Sequence, residues 1–174
     1  MKAVRARPHR PRARPDGPAL AAPCAPVVPW GRAQIDGYLP HRGAMRLLSE
    51  VRAYDRDTIE CVADSHHDLA HPLRAHGRLG AACAIEYAAQ AMAIHGALCA
   101  DRERPPAGSL LAVREARFWV ARLDDIAEDL LITCHCLARD SHVASYRFVV
   151  ATTAGPVAAG RATVQFTAHE GRAP

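Results

Sequence analysis

His66, His67, His71 and His76 crowd the stretch from Asp64 to Gly80, directly ahead of the run Ala81–Cys99, AACAIEYAAQAMAIHGALC. That run carries Glu86, with Gln90 one turn further along the same face of any helix it forms. A carboxylate in the middle of a buried helix is costly unless it is paired, protonated or used. The first backbone N–H groups of such a helix are unpaired and can polarise a carbonyl or hold an anion. Histidines, a helix N-terminus and a carboxyl group together suit proton abstraction beside a carbonyl. One group acts as base, another as acid, and N–H donors steady the enolate oxygen. Plainer roles stay open at this point: loop histidines are mostly solvated, and Glu86 could pair with Arg74 or Arg78.

A metal reading draws on His66, His67 and His71 together with Cys134, His135 and Cys136. Alternation along a strand turns His135 away from the two cysteines, so no resident metal is expected. No phosphate loop, dinucleotide fingerprint or G-x-S-x-G elbow occurs.

The elements that must position these groups follow from pattern. Ala81–Cys99 is apolar nearly all round and lacks proline, which predicts a buried helix about 28 Å long. Glu86, Gln90 and His95 interrupt it and argue against a membrane span. Alternation predicts strands over Met45–Tyr54 and Thr58–Ala63, joined by the polar turn Asp55-Arg56-Asp57. Further strands are expected over Ser109–Phe118, Leu130–Ala138, Val143–Ala151 and Val157–Phe166, with turns at Asp140–His142 and Thr153–Pro156. The order is strand, strand, long helix, four strands. It indicates an α+β domain, an antiparallel sheet wrapped around one helix whose far side a second subunit would cover.

At 174 residues the chain is expected to hold one domain. Residues 1–33 read as a disordered basic leader rich in Pro and Arg, residues 34–168 as the folded domain and residues 169–174 as a frayed end. The formal charge of +4 is misleading: residues 1–32 contribute +6 and the remainder −2. The folded part is therefore not a nucleic-acid binder, and no membrane association is expected. The six cysteines lack C-x-x-C spacing and read as buried thiols of a reducing cytoplasm.

Leu39-Pro40-His41-Arg42-Gly43-Ala44-Met45, followed by Leu47-Leu48, resembles the L-P-H-R-x-P-[FM]-L-L opening of the 3-hydroxyacyl-acyl-carrier-protein dehydratases. Glu86-Tyr87-Ala88-Ala89-Gln90-Ala91 resembles their E-x-x-A-Q helix signature. The chain is most similar to the divergent dehydratase-like branch associated with aryl polyene and related pigment clusters. The resemblance implies a hotdog fold that dimerises, as homodimer or as heterodimer with another hotdog subunit. It implies dehydration of a 3-hydroxyacyl thioester carried on the phosphopantetheine of an acyl carrier protein, with no cofactor of the enzyme's own. Active sites then lie at the dimer interface, with His71 as base, or His76 in its place, across that interface from Glu86 as acid; His41, His76, Gly80 and Gln90 lie near substrate. Two alternatives accompany this reading: a hotdog acyl thioesterase, and a catalytically weak partner subunit of a heterodimeric dehydratase.

Overall fold

The computed structural model describes residues 29–100 and 108–166. Most of the expected leader, the proline-containing loop after the helix and the expected frayed end lie outside the described residues. The elements run β1 (Trp30–Gly31), α1 (Arg32–Ile35), β2 (Glu50–Tyr54), β3 (Thr58–Ala63), α2 (Ala84–Cys99), β4 (Gly108–Phe118), β5 (Leu130–Arg139), β6 (Val143–Thr152) and β7 (Gly155–Phe166).

The strands make one antiparallel sheet in the order β1-β2-β3-β5-β6-β7-β4. Its hairpins are closed by the expected turn chemistry. Asp55 Oδ1 accepts the N–H groups of Asp57 and Thr58, each at 2.7 Å. Asp140 Oδ1 does the same for His142 and Val143, again at 2.7 Å. The β2–β3 hairpin joins the β5–β6–β7 meander along β3, in a register running from Thr58 opposite His135 to Ala63 opposite Leu130.

One sheet face is apolar and wraps α2. Ile59, Cys61, Ile132, Cys134, Tyr146, Phe148, Val150, Ala158 and Ala162 from the strands share a core with Ala84, Tyr87, Ala88, Ala91, Met92 and Ile94. The alanines let sheet and helix approach closely, and Tyr87, Met92 and Ile94 fill the remaining space. On the other side of α2 runs a half-buried stripe of Ile85, Glu86, Ala89 and Ala93. This is the helix-in-sheet architecture expected from the element order. It is the hotdog fold.

Two expectations need correcting. Order begins before Gln34: Trp30 lies in β1, opposite Val51, and its ring packs on Tyr38 and Tyr54 at centroid distances of 5.5 and 5.8 Å. Residues 45–49 are not strand, because the backbone groups of Met45 and Leu47 are taken by a side chain of α2 rather than by a neighbouring strand. Among the described residues no helix is long and apolar enough to cross a membrane.

Candidate active site

That side chain is Gln90, which is fully buried. Its Oε1 accepts the Leu47 N–H at 3.0 Å, and its Nε2 donates to Met45 O at 2.8 Å. The same Nε2 donates to Glu86 Oε1, one turn earlier, at 3.1 Å. One amide thus fastens the loop after His41 to the helix and orients the Glu86 carboxylate. His41 completes the arrangement, with Nε2 3.2 Å from Glu86 Oε1. Both side chains are about one-third exposed (29% and 31%), so the pair is held by protein and open to a ligand. Glu86 sits in the first turn of α2.

The backbone around His41 is braced in turn. Arg46 Nε donates to His41 O at 3.0 Å, and the same guanidinium pairs with Asp36 Oδ2 at 2.5 Å. His41 Nδ1 and Asp36 Oδ1 are buried without a hydrogen-bond partner among the described residues.

His71 is elsewhere engaged. Its Nδ1 accepts the Leu73 N–H at 3.1 Å and therefore carries no proton. Its Nε2–H donates to Tyr87 Oη at 3.1 Å. Ser65 Oγ donates to Leu47 O at 2.9 Å, so the Tyr87 hydroxyl donates onward to Ser65 Oγ, also at 2.9 Å. Every proton in this chain has a place. Burial, and then the Arg74 cation, lower the His71 pKa and keep the ring neutral; burial pushes Tyr87 up to about 12. Within the chain no hydrogen bond or ion pair joins His71 to Glu86 among the described residues; the histidine paired with Glu86 is His41.

His76 and Gly77 are the two central residues of a tight turn closed by mutual Ala75–Arg78 backbone bonds, with φ of 52° and 73°. Positive φ at both positions defines a type I′ turn, for which the glycine is well suited. His76 is exposed there, outside the Glu86 group. Gly80 precedes the first helical turn and bridges to Arg122, and the following Ala81 N–H is given to Ala121 O at 3.0 Å. No group of three or more His, Cys, Asp or Glu side chains suited to a metal occurs among the described residues.

Sequence reasoning missed several supporting groups. Asp124 ties the histidine loop down: it accepts the Leu79 N–H at 2.8 Å, pairs with Arg74 at 3.3 Å and bonds Arg122. The Arg122 hydrogen bond holds its carboxyl far below the usual range. Nothing in the local pattern announces the hold of Asp124 on this loop, because Arg74 and Leu79 lie 50 and 45 residues away. Tyr87 does carry a signal, as a hydroxyl-bearing ring in an otherwise apolar helix that must find a partner.

At the far end of α2 a second polar cluster is closed. His95 Nε2–H donates to Asp55 O at 3.0 Å, and its Nδ1 accepts from Arg139 at 2.9 Å. Arg139 also donates to Tyr146 Oη at 2.8 Å. Burial lowers the His95 pKa to about 4.

A family model described as ApeP-like, ApeP dehydratase, matches residues 33–170. No curated protein matches the sequence. Among solved structures, the dehydratase heterocomplex ApeI:P from Xenorhabdus doucetiae superposes with a TM-score of 0.69 at 23% identity, covering 78% of this chain and 92% of that one. AziG from S. sahachiroi gives a TM-score of 0.51 at 16% identity, covering 68% of this chain and 90% of that one. Zebra fish thioesterase superfamily member 2 gives 0.51 at 18% identity, with coverages of 78% and 92%. At these identities the structural likenesses establish the fold.

Proposed function

The chain belongs to the ApeP-like dehydratase family, and from that premise we propose that it removes water from 3-hydroxyacyl thioesters delivered on an acyl carrier protein. The observation that carries the site assignment is the Glu86–His41 contact set by Gln90. In this reading the pair holds one proton between a carboxyl and an imidazole. The imidazole of His41 takes the C2 proton of the bound thioester. The Glu86 carboxyl gives its proton to the 3-hydroxyl; the C3–O bond breaks, the C2–C3 double bond forms and water leaves. The proton left on His41 returns to Glu86 across their 3.2 Å contact, so the pair is reset without an external acid. His71 has a structural role, locking Tyr87 and the loop that faces the helix.

The acyl group arrives on phosphopantetheine, and no resident cofactor takes part. A second hotdog subunit is part of the proposal. The half-buried stripe on α2 and the free edge of β4 around the exposed Leu110 and Leu111 are surfaces that such a subunit would cover. The solved Xenorhabdus relative is itself a heterocomplex.

The test is mass spectrometry of the purified chain, alone and with a co-expressed hotdog partner, incubated with 3-hydroxyacyl-carrier protein. Loss of the mass of one water from the acyl-carrier species is the expected result. Release of free thiol with the 3-hydroxyl retained would identify a thioesterase instead.

A further inference from the structure

The face of the sheet turned away from α2 carries an uncommon charge pattern. Arg147 on β6 stands directly opposite Arg161 on β7, and Arg161 directly opposite Arg114 on β4. His135 on β5 extends the same row beyond Arg147. Directly opposed like charges destabilise a sheet, yet three arginines occupy adjacent strands in register. One carboxylate answers them: Glu115 Oε2 lies 3.4 Å from Arg161 Nε. The side chains of Arg114, Arg117 and Arg147 make no ion pair or hydrogen bond among the described residues. Glu60, a half-buried carboxylate of β3, sits one row over and four strands from Arg117.

Beside this row the sheet opens into a groove of about 700 Å³ lined by Arg117, Phe118, Trp119, Arg147, Ala159 and Arg161. It forms where β4 bulges between Arg114 and Arg117, with Glu115 at φ 54°. Val149 and Ala159 give it a shallow apolar floor, and Phe118 and Trp119, 42% and 40% exposed, stand at its rim.

The spacing selects an occupant. Neighbouring strands lie about 4.8 Å apart, so the arginine row repeats at that interval. Acidic residues three or four apart on a helix repeat at about 5–6 Å. A helix laid across the strands would therefore offer roughly one carboxylate per arginine, with its apolar side on the floor and against the aromatic rim. We propose that the Arg114–Arg161–Arg147 row and its groove dock an acidic helix of the protein that carries the thioester. The proposal rests on the dehydratase reading above and gives that reaction its delivery surface.

The experiment uses the full-length chain with any hotdog subunit that copurifies. Its affinity for a phosphopantetheinylated acyl carrier protein is measured by fluorescence anisotropy across ionic strengths. The double variant Arg147→Glu/Arg161→Glu should weaken binding by at least ~10-fold and flatten its salt dependence. The controls Arg56→Glu and Arg78→Glu should leave it unchanged. The kcat/KM on the carrier-bound substrate should fall by the same factor, and turnover of the matching N-acetylcysteamine thioester should hold. Arg147→Gln/Arg161→Gln, which relieves repulsion without reversing charge, should move binding in the same direction. Equal affinity in the charge-reversed protein, or an equal loss in the controls, would overturn the proposal. So would wild-type protein that ignores the carrier and instead binds a DNA oligonucleotide through these arginines. Carrier binding lost in the variants while neither thioester is dehydrated would uphold the docking surface and sink the dehydratase reading.

Discussion

The two ends of α2 each hold a histidine among polar partners, and they are built for opposite ends. At the C-terminal end His95 spends both ring nitrogens on Asp55 O and Arg139, and burial keeps it neutral. At the N-terminal end His41 and Glu86 touch each other, stay about one-third exposed, and leave His41 Nδ1 unbonded. A closed network fixes a structure; an open pair has protons to exchange. The difference is one of access and unfinished bonding rather than of residue type. By the same criterion His71, with both nitrogens committed and 3% exposure, sides with His95.

The largest expected effect lies at the open end. Glu86→Gln should lower turnover of a 3-hydroxyacyl-carrier substrate by at least ~10² with little change in thermal midpoint, because a general acid is lost and the site is solvent-accessible. His71→Ala should reverse that signature. It strands the Leu73 N–H and the Tyr87 hydroxyl, costing about 1–3 kcal/mol in denaturant titration while the folded fraction keeps its turnover. If His71→Ala instead abolished turnover in fully folded protein, the contrast between the two histidines would break.

Between these lies Gln90→Ala. It should do both kinds of damage, leaving the Leu47 N–H and Met45 O unpaired and releasing the Glu86 carboxylate. A loss of about 2 kcal/mol of stability is expected together with reduced kcat.

The closed end predicts a pH dependence. The His95 pKa is about 4 in the fold and near 6.5 unfolded, so between those values the unfolded chain binds more protons. Stability is therefore fully present above about pH 6.5 and is lost as pH falls toward 4, by about 3 kcal/mol from this group. His66 and His71, also lowered by burial, add to the same slope. In His95→Gln, thermal midpoints measured from pH 7 to pH 4 should show a shallower slope.

The smallest effect is a packing one. A Cβ at Gly160 would meet Phe148 Cζ at 3.0 Å and Arg114 O at 3.2 Å. Gly160→Ala should cost about 1–3 kcal/mol, read as a lowered denaturation midpoint, with substrate turnover retained.

Much of the fold was legible because its signals are local. Alternation marked the strands, uninterrupted apolar character marked α2, and Asp55 and Asp140 marked their turns. The segment from Met45 to Ser49 also alternates, but Met45 O and the Leu47 N–H bond Gln90, more than forty residues away, and no local pattern discloses that. Trp30 was hidden for a similar reason, since the rings it packs on, Tyr38 and Tyr54, lie further along the chain. Helical spacing singled out Glu86 and Gln90, and the two side chains are hydrogen-bonded. Their contact with His41 was not legible in that spacing: the histidine-rich loop before the helix drew attention to His71 and His76, whereas Gln90 draws in the loop bearing His41. His76 reads as a chemical group by type and as a turn residue by its φ of 52°.

The central claim is that His41 and Glu86 act as one unit, and a double-mutant cycle tests it most directly. Single-turnover dehydration of a 3-hydroxyacyl-carrier protein would be followed by mass spectrometry for wild type, His41→Ala, Glu86→Gln and the double variant. The account predicts that each single change costs at least ~10² and that the double variant is scarcely slower than either, because residues of one catalytic unit are strongly non-additive. Losses that multiply, or a His41→Ala enzyme that turns over at the wild-type rate, would contradict it.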